Sequence, residues 1–166
     1  MAANDISVVS ESAGVRQFEV ASGATAINPG EPVMRTPSYT SGVTDANTVV
    51  VLTDGKPVVA TDELVGIAAS AGTHTSSAAG TVNVIVPKPH ETRIRGKAKT
   101  AGNVDTASEL TNILHDLVLF DLTSSTYTID DTASADTSGL QIMDGDIVKN
   151  TLDVEVDARA MRTVVA

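Results

Sequence analysis

Short apolar segments recur along the chain, separated by clusters of Gly, Pro, Asp and Ser. Residues 6–9 and 16–20 come first, parted by SESAG, and INPGEPV at 27–33 sets Pro and Gly around a turn before a brief strand. Residues 35–47 are rich in Pro, Ser and Thr and read as an extended loop. TVVVL (48–52) has the continuous apolar character of a buried strand, and Asp54-Gly55 after it is a hairpin signal leading into PVVA. LVGIAAS and TVNVIVP add two strands around a middle, AGTHTSSAAG, made almost wholly of small side chains that read as a flexible loop. Six or so strands at this spacing within the first 90 residues predict a small β-barrel or sandwich.

One segment departs from period two. Thr106 and Glu109 have the spacing of a capping box, and Leu110, Ile113, Leu114, Leu117 and Val118 follow at helical spacing. A short helix at about 105–116 is expected, its end blurred because LVLFDL can equally open a strand. Beyond it TYTID, LQIMD, DIVKN and LDVEVDARAM read as strands, with Asp144-Gly145 as a turn. The fold class is mainly β with one short α-helix. Residues 1–15 are expected to be a flexible N-terminal arm and 16–166 one β-rich domain.

Composition sharpens this picture. Among 166 residues only 2% are aromatic, and Val dominates the apolar set, which suits pleated, half-buried surfaces. A core poor in large side chains gains less from burial, so association with partner subunits is a natural supplement. There is no cysteine, which removes disulfides and thiolate ligands. The N-terminus has no basic and apolar leader pattern, and no run of about 18 apolar residues occurs, so neither a signal peptide nor a membrane partner is expected. A formal charge of −10 argues against nucleic acid as a partner.

Two charged alternations stand out. In KPHETRIRGKAKT, Arg93, Arg95, Lys97 and Lys99 alternate with small or apolar residues, so a strand places the four cations on one face. In LDVEVDARAM, Asp153, Glu155 and Asp157 do the same with carboxylates. Either the two ridges pair across neighbouring strands of one sheet, or one or both face another subunit or a partner surface and set register there. No aromatic interleaves the basic ridge to stack a base.

Catalytic patterns are missing. His74, His90 and His115 are scattered, and neither HExxH, GxSxG nor a phosphate-binding glycine loop occurs. Asp130, Asp131 and Asp136 lie in an acidic segment whose spacing departs from that of a Ca²⁺ loop, so a solvated turn is expected there. No catalytic residue, metal site or cofactor is assigned, and the chain is not expected to be an enzyme. A carbohydrate- or cell-surface-binding β module is an alternative, for which Tyr39 and Tyr127 are the available aromatic platforms.

The segments FEVASGATAINPGEPV, VVVLTDGKPVVATDELVGIAASAGTHTSSAAGTVNVIVP and ELTNILHDLVLFDLTSSTYTIDD resemble the head decoration, or cement, proteins of tailed bacteriophages. The resemblance covers roughly residues 18–160 and extends to other virion β-barrels, including tail components. It implies a small β-barrel followed by a helix and hairpin. It also implies a homotrimer whose partner is the major capsid protein, made in the host cytoplasm and resident on the outer surface of the virion, where it clamps neighbouring capsomers. The Gly, Ser, Thr and Ala loop would then lie close to a partner backbone, and residues 1–15 would order on binding. It offers no residue-level contact motif, so the ridge at 93–99 stands on its alternation alone.

Overall fold

The computed structural model describes residues 6–12, 14–35, 47–59, 62–132 and 136–161. Two antiparallel sheets dominate, as the short apolar segments predict. The first has the order β1 (Ser7–Val8), β7 (Arg93–Lys97), β11 (Thr151–Val156), β10 (Leu140–Asp146), β8 (Leu117–Thr123) and β9 (Thr126–Asp130). It curls until β9 returns to the end of β7. There Ala98 and Ile129 form a parallel bridge, and the Lys99 amide donates to the Ile129 carbonyl at 2.8 Å.

The second sheet has the order β2 (Val15–Val20), β6 (Gly80–Ile85), β5 (Leu64–Ala68), β3 (Pro32–Arg35) and β4 (Val49–Val51). It curls in the same way. A Glu19–Thr48 parallel bridge and a 2.9 Å bond from the Glu19 amide to the Asn47 carbonyl join its two edges. Each sheet is thus closed on itself at one bridged pair of residues, giving a half-barrel.

β5 and β3 form a wall shared between the two halves. Val33, Val65 and Ala68 face a Val-rich core with Phe18, Val20, Val82 and Val84, whereas Met34, Leu64 and Ile67 face the larger core of Phe120, Tyr127, Ile129 and Ile142. All five residues of β5 are buried, which is why LVGIA is continuously apolar rather than alternating. Gly66 sits in this wall with φ +153°, and a Cβ there would meet the Ile85 carbonyl oxygen at 2.1 Å.

The helix forms as α1 (Ala107–Ile113), shorter than 105–116 because Leu117 already opens β8. Its cap is the expected one: the Thr106 hydroxyl accepts from the Glu109 amide at 3.3 Å and donates to the Glu109 carboxylate at 2.7 Å. Leu110, Ile113 and Leu114 pack on the larger core. No helix among the described residues is long and apolar enough to cross a membrane.

Four expectations need correction. Asp54-Gly55 makes its turn, but the chain then crosses to β8 through a Lys56–Phe120 bridge instead of folding back on β4. Asp144-Gly145 lies inside β10 at a bulge, and the turn falls at 147–150 rather than DIVKN forming a strand. Gly145 is there for closeness, since a Cβ would meet Leu110 Cδ1 at 2.8 Å and the Thr151 carbonyl oxygen at 2.9 Å. Of the expected arm, residues 6–8 are anchored: Ile6 is buried, and β1 pairs with β7. Residues 1–5 of that arm, and 36–46 of the expected loop, lie outside the described residues.

The fourth correction concerns the small-residue stretch, which is built rather than loose. It prolongs the β5–β6 hairpin through Ala69 N–H to Asn83 carbonyl (2.7 Å) and Thr73 N–H to Thr81 carbonyl (3.0 Å), and it turns at Thr75–Ala78 (2.9 Å). It lies directly on residues 21–28, with Gly23 N–H to Thr75 carbonyl at 2.9 Å and Gly72 N–H to Ile27 carbonyl at 3.0 Å. His74 Nε2 meets the Ala24 carbonyl at 3.0 Å. A Cβ on Gly80 would fall 2.2 Å from the His74 amide nitrogen. Small side chains therefore serve the stacking of backbone on backbone within this chain.

Candidate interaction surface

The two charged ridges meet on the outer face of the first sheet. β7 and β11 are antiparallel neighbours with Arg93 opposite Glu155, Arg95 opposite Asp153 and Lys97 opposite Thr151. Ile94, Leu152 and Val154 point the other way into the core. The pairing across neighbouring strands is thus present within one chain.

The pairs differ in quality. Arg95 grips Asp153 with both arms, Nε to Oδ1 at 2.6 Å and Nη2 to Oδ2 at 2.7 Å, and Asp153 is only 5% exposed. Hydrogen bonding to Asp153 raises the Arg95 pKa above its ordinary value. Arg93 is looser, 3.6 Å from Glu155 and 3.8 Å from Asp144. Lys97 has turned to the backbone, donating to the Lys149 carbonyl at 2.6 Å.

Lys99 and Asp157 fall outside the ridges because each lies beyond the end of its strand. Lys99 swings to β8 and β9, where its Nζ lies 2.8 Å from Asp121 and 2.9 Å from Asp130. Bonds to these two carboxylates, Asp121 first, push its pKa well above the usual lysine range. Beside the Ala98–Ile129 bridge, this lysine staples the seam of the barrel. Asp157 instead turns to Arg159, accepting from its backbone amide and from Nη2, both at 2.7 Å.

Several polar groups that matter here leave no local signal in the sequence, because their partners are distant along the chain. Asp131 is buried and accepts from the Thr100 amide (2.9 Å) and Asn103 Nδ2 (2.7 Å). Arg35 pairs with Glu63 at 2.7 Å and lies 5.9 Å from the centre of the Phe18 ring. Asp54 accepts from the Leu122 amide at 2.8 Å.

In the acidic segment, Asp130 and Asp131 turn their oxygens toward donors of the protein itself. Asp130 faces Lys99 and Thr132, and Asp131 faces the Thr100 and Asn103 nitrogens. Among the described residues no three His, Asp or Glu side chains are grouped to hold a metal ion. Tyr127 is buried, its hydroxyl donating to the Leu52 carbonyl, and so offers no sugar platform. Tyr39 lies outside the described residues.

Replacing Arg95 by Gln leaves Asp153 enclosed without its cation. Because the arginine is itself 38% exposed at its side chain, solvent screening reduces the effect to about 1–2 kcal/mol of stability. Urea unfolding reads it, and the double change Arg95→Gln with Asp153→Asn is expected to recover part of the loss.

Acid is expected to weaken the fold. Burial tends to raise the Asp130 carboxyl, yet Thr132 and Lys99 hold it below its ordinary 3.8. Asp157 is lowered chiefly by Arg159, and Asp146 chiefly by the Lys149 amide. A depressed folded value contributes stability that is full above the unfolded value and is lost as pH falls through the folded one. Glu109 is lowered too, chiefly by its bond to Thr106, and Asp105, raised by its bond to Glu109, acts in the opposite sense, one group against four. The melting temperature is expected to fall between about pH 5 and about pH 3, and a constant or rising value would contradict this.

Comparison with protein-family models and with characterised proteins returns no match for this chain.

Proposed function

We propose that the chain is a structural component of a tailed-phage virion, bound to the outer surface of the capsid as a trimer and clamping neighbouring capsomers. The observation that carries the reading is where the chemistry-bearing side chains are spent. Arg95–Asp153, Lys99–Asp121 and Lys99–Asp130, Arg35–Glu63 and the Asp131 cap each hold two segments of the fold together. Of the segments that carry the resemblance, residues 18–33, 49–52 and 64–87 lie in the second sheet and the hairpin and loop packed on it. A rigid body whose polar groups fasten strands is suited to act through its surface.

The test uses purified protein and undecorated, expanded shells of the major capsid protein encoded by the same genome. The protein is expected to pellet with the shells, saturating at a fixed ratio to capsid subunits. Failure to bind shells while binding purified tail tubes would transfer the role to a tail component. Binding to neither, with retention on a glycan array, would replace it with the surface-binding module.

A further inference from the structure

Residues 20–30 and 64–87 contain none of the chain's 11 Lys and Arg or its 21 Asp and Glu. The fold brings these two stretches together, the first lying on the hairpin of the second through the Gly23, Gly72 and His74 contacts. With Arg16, exposed between Val15 and Gln17, alternating to the other side opposite Val84, the region continues onto the outer face of β2 and β6. There the opposed pairs are Val15 with Ile85, Gln17 with Asn83, and Glu19 with Thr81, while Phe18, Val20, Val82 and Val84 point inward. Val15 is 60% exposed and Asn83 is exposed beside it. Glu19, at the end of the face, is the one ionised side chain among these three opposed pairs.

We propose that this face, centred on Val15, Gln17 and Asn83, is where one copy of the chain contacts another. The occupant follows from charge. A body with a net charge of −10 repels its own copies wherever carboxylates face each other, and such juxtaposition is costly at an interface. A cationic partner would be met by an acidic surface, and an anionic one by a basic surface. A surface whose three opposed pairs carry a single charge, Glu19 at its end, on an otherwise acidic molecule fits a second copy of itself. The paired strands also present the surface already ordered, which lowers the entropic cost of association. The inference rests on the trimer in the reading above and names the face that forms it.

The experiment is light scattering coupled to size exclusion on the full chain, in low salt and in about 1 M NaCl, where screening shortens to about 3 Å. Wild type is expected at three times 17.0 kDa in both buffers, since an uncharged contact does not depend on ion pairs. Asn83→Glu is expected to shift the protein toward monomer, with at least a tenfold weaker association. Val15→Ser, which removes exposed apolar surface and adds no charge, is expected to act in the same direction with an unchanged circular dichroism spectrum.

A trimer that survives both substitutions places the contact elsewhere and overturns the proposal. A trimer lost in high salt assigns the contact to the charged ridge and overturns it too. A wild-type monomer in both buffers overturns self-contact through this face. Saturable shell binding by that monomer would leave the capsid reading standing, so the two failures are distinguishable.

Discussion

Gly66→Ala is expected to cost about 3–5 kcal/mol and to leave little folded protein at physiological temperature. The new methyl carbon would sit 2.1 Å from the Ile85 carbonyl oxygen and 3.0 Å from both the Ile85 carbonyl carbon and Val84 Cγ1. A flexible side chain can step aside, but the carbonyl belongs to β6 and lies next to the point where Ile67 pairs with Ile85. Relief would require β5 and β6 to part. β5 has Leu64 and Ile67 in one core and Val65 and Ala68 in the other, so displacing it loosens both. The φ of +153° adds backbone strain for any residue with a Cβ. Urea unfolding and the yield of soluble protein measure the effect. Gly55→Ala is the control: at φ +68° and with nothing within 4 Å of the added methyl, it should lose only about 1 kcal/mol from strain.

Phe120→Ala is expected to have a similar effect, about 3–5 kcal/mol. Phe120 is fully buried on β8, and it is one of two phenylalanines in the chain. The surrounding Val, Ile and Leu side chains leave few large groups able to move into the space. Backbone bonds to residues 55 and 56, Gly55 N–H to Phe120 carbonyl at 3.1 Å and Phe120 N–H to Lys56 carbonyl at 2.7 Å, and the pairing of Phe120 with Ile129 on β9 hold the strand in place once the ring is removed. Cavities that cannot collapse are the expensive ones. Because β3 and β5 belong to both cores, the loss should appear as one transition at lower urea when followed by far-ultraviolet circular dichroism. Two separated transitions would show that the halves unfold independently, contrary to a shared wall.

The signals legible in the sequence are local ones. Period two in RIRGK and TLDVEV placed Arg93, Arg95, Asp153 and Glu155 on outward faces, and the capping box at Thr106 marked the start of α1. Strand ends are set by tertiary contacts, so Lys99 and Asp157, just past them, leave the ridges to which period two assigns them. The glycine-containing dipeptides mislead for a related reason. Gly145 is required by the approach of Leu110, and the turn that follows is made by Asp146, accepting from the Val148 and Lys149 amides, and by Asn150 at φ +51°. Two-sided burial of LVGIA is visible in its composition, but the second barrel it serves is not. The parallel bridges that close each sheet join residues about 30 apart in the chain, Glu19 with Thr48 and Ala98 with Ile129, and carry no motif.

Stabilisation of a capsid by this protein is tested most directly by the heat resistance of the shell itself. Expanded shells are heated with and without saturating protein, and disassembly is followed by light scattering. Bound protein is expected to raise the disassembly temperature, and Asn83→Glu, which weakens the trimer, to reduce the gain. Shells that bind the protein yet come apart at an unchanged temperature would contradict a stabilising role.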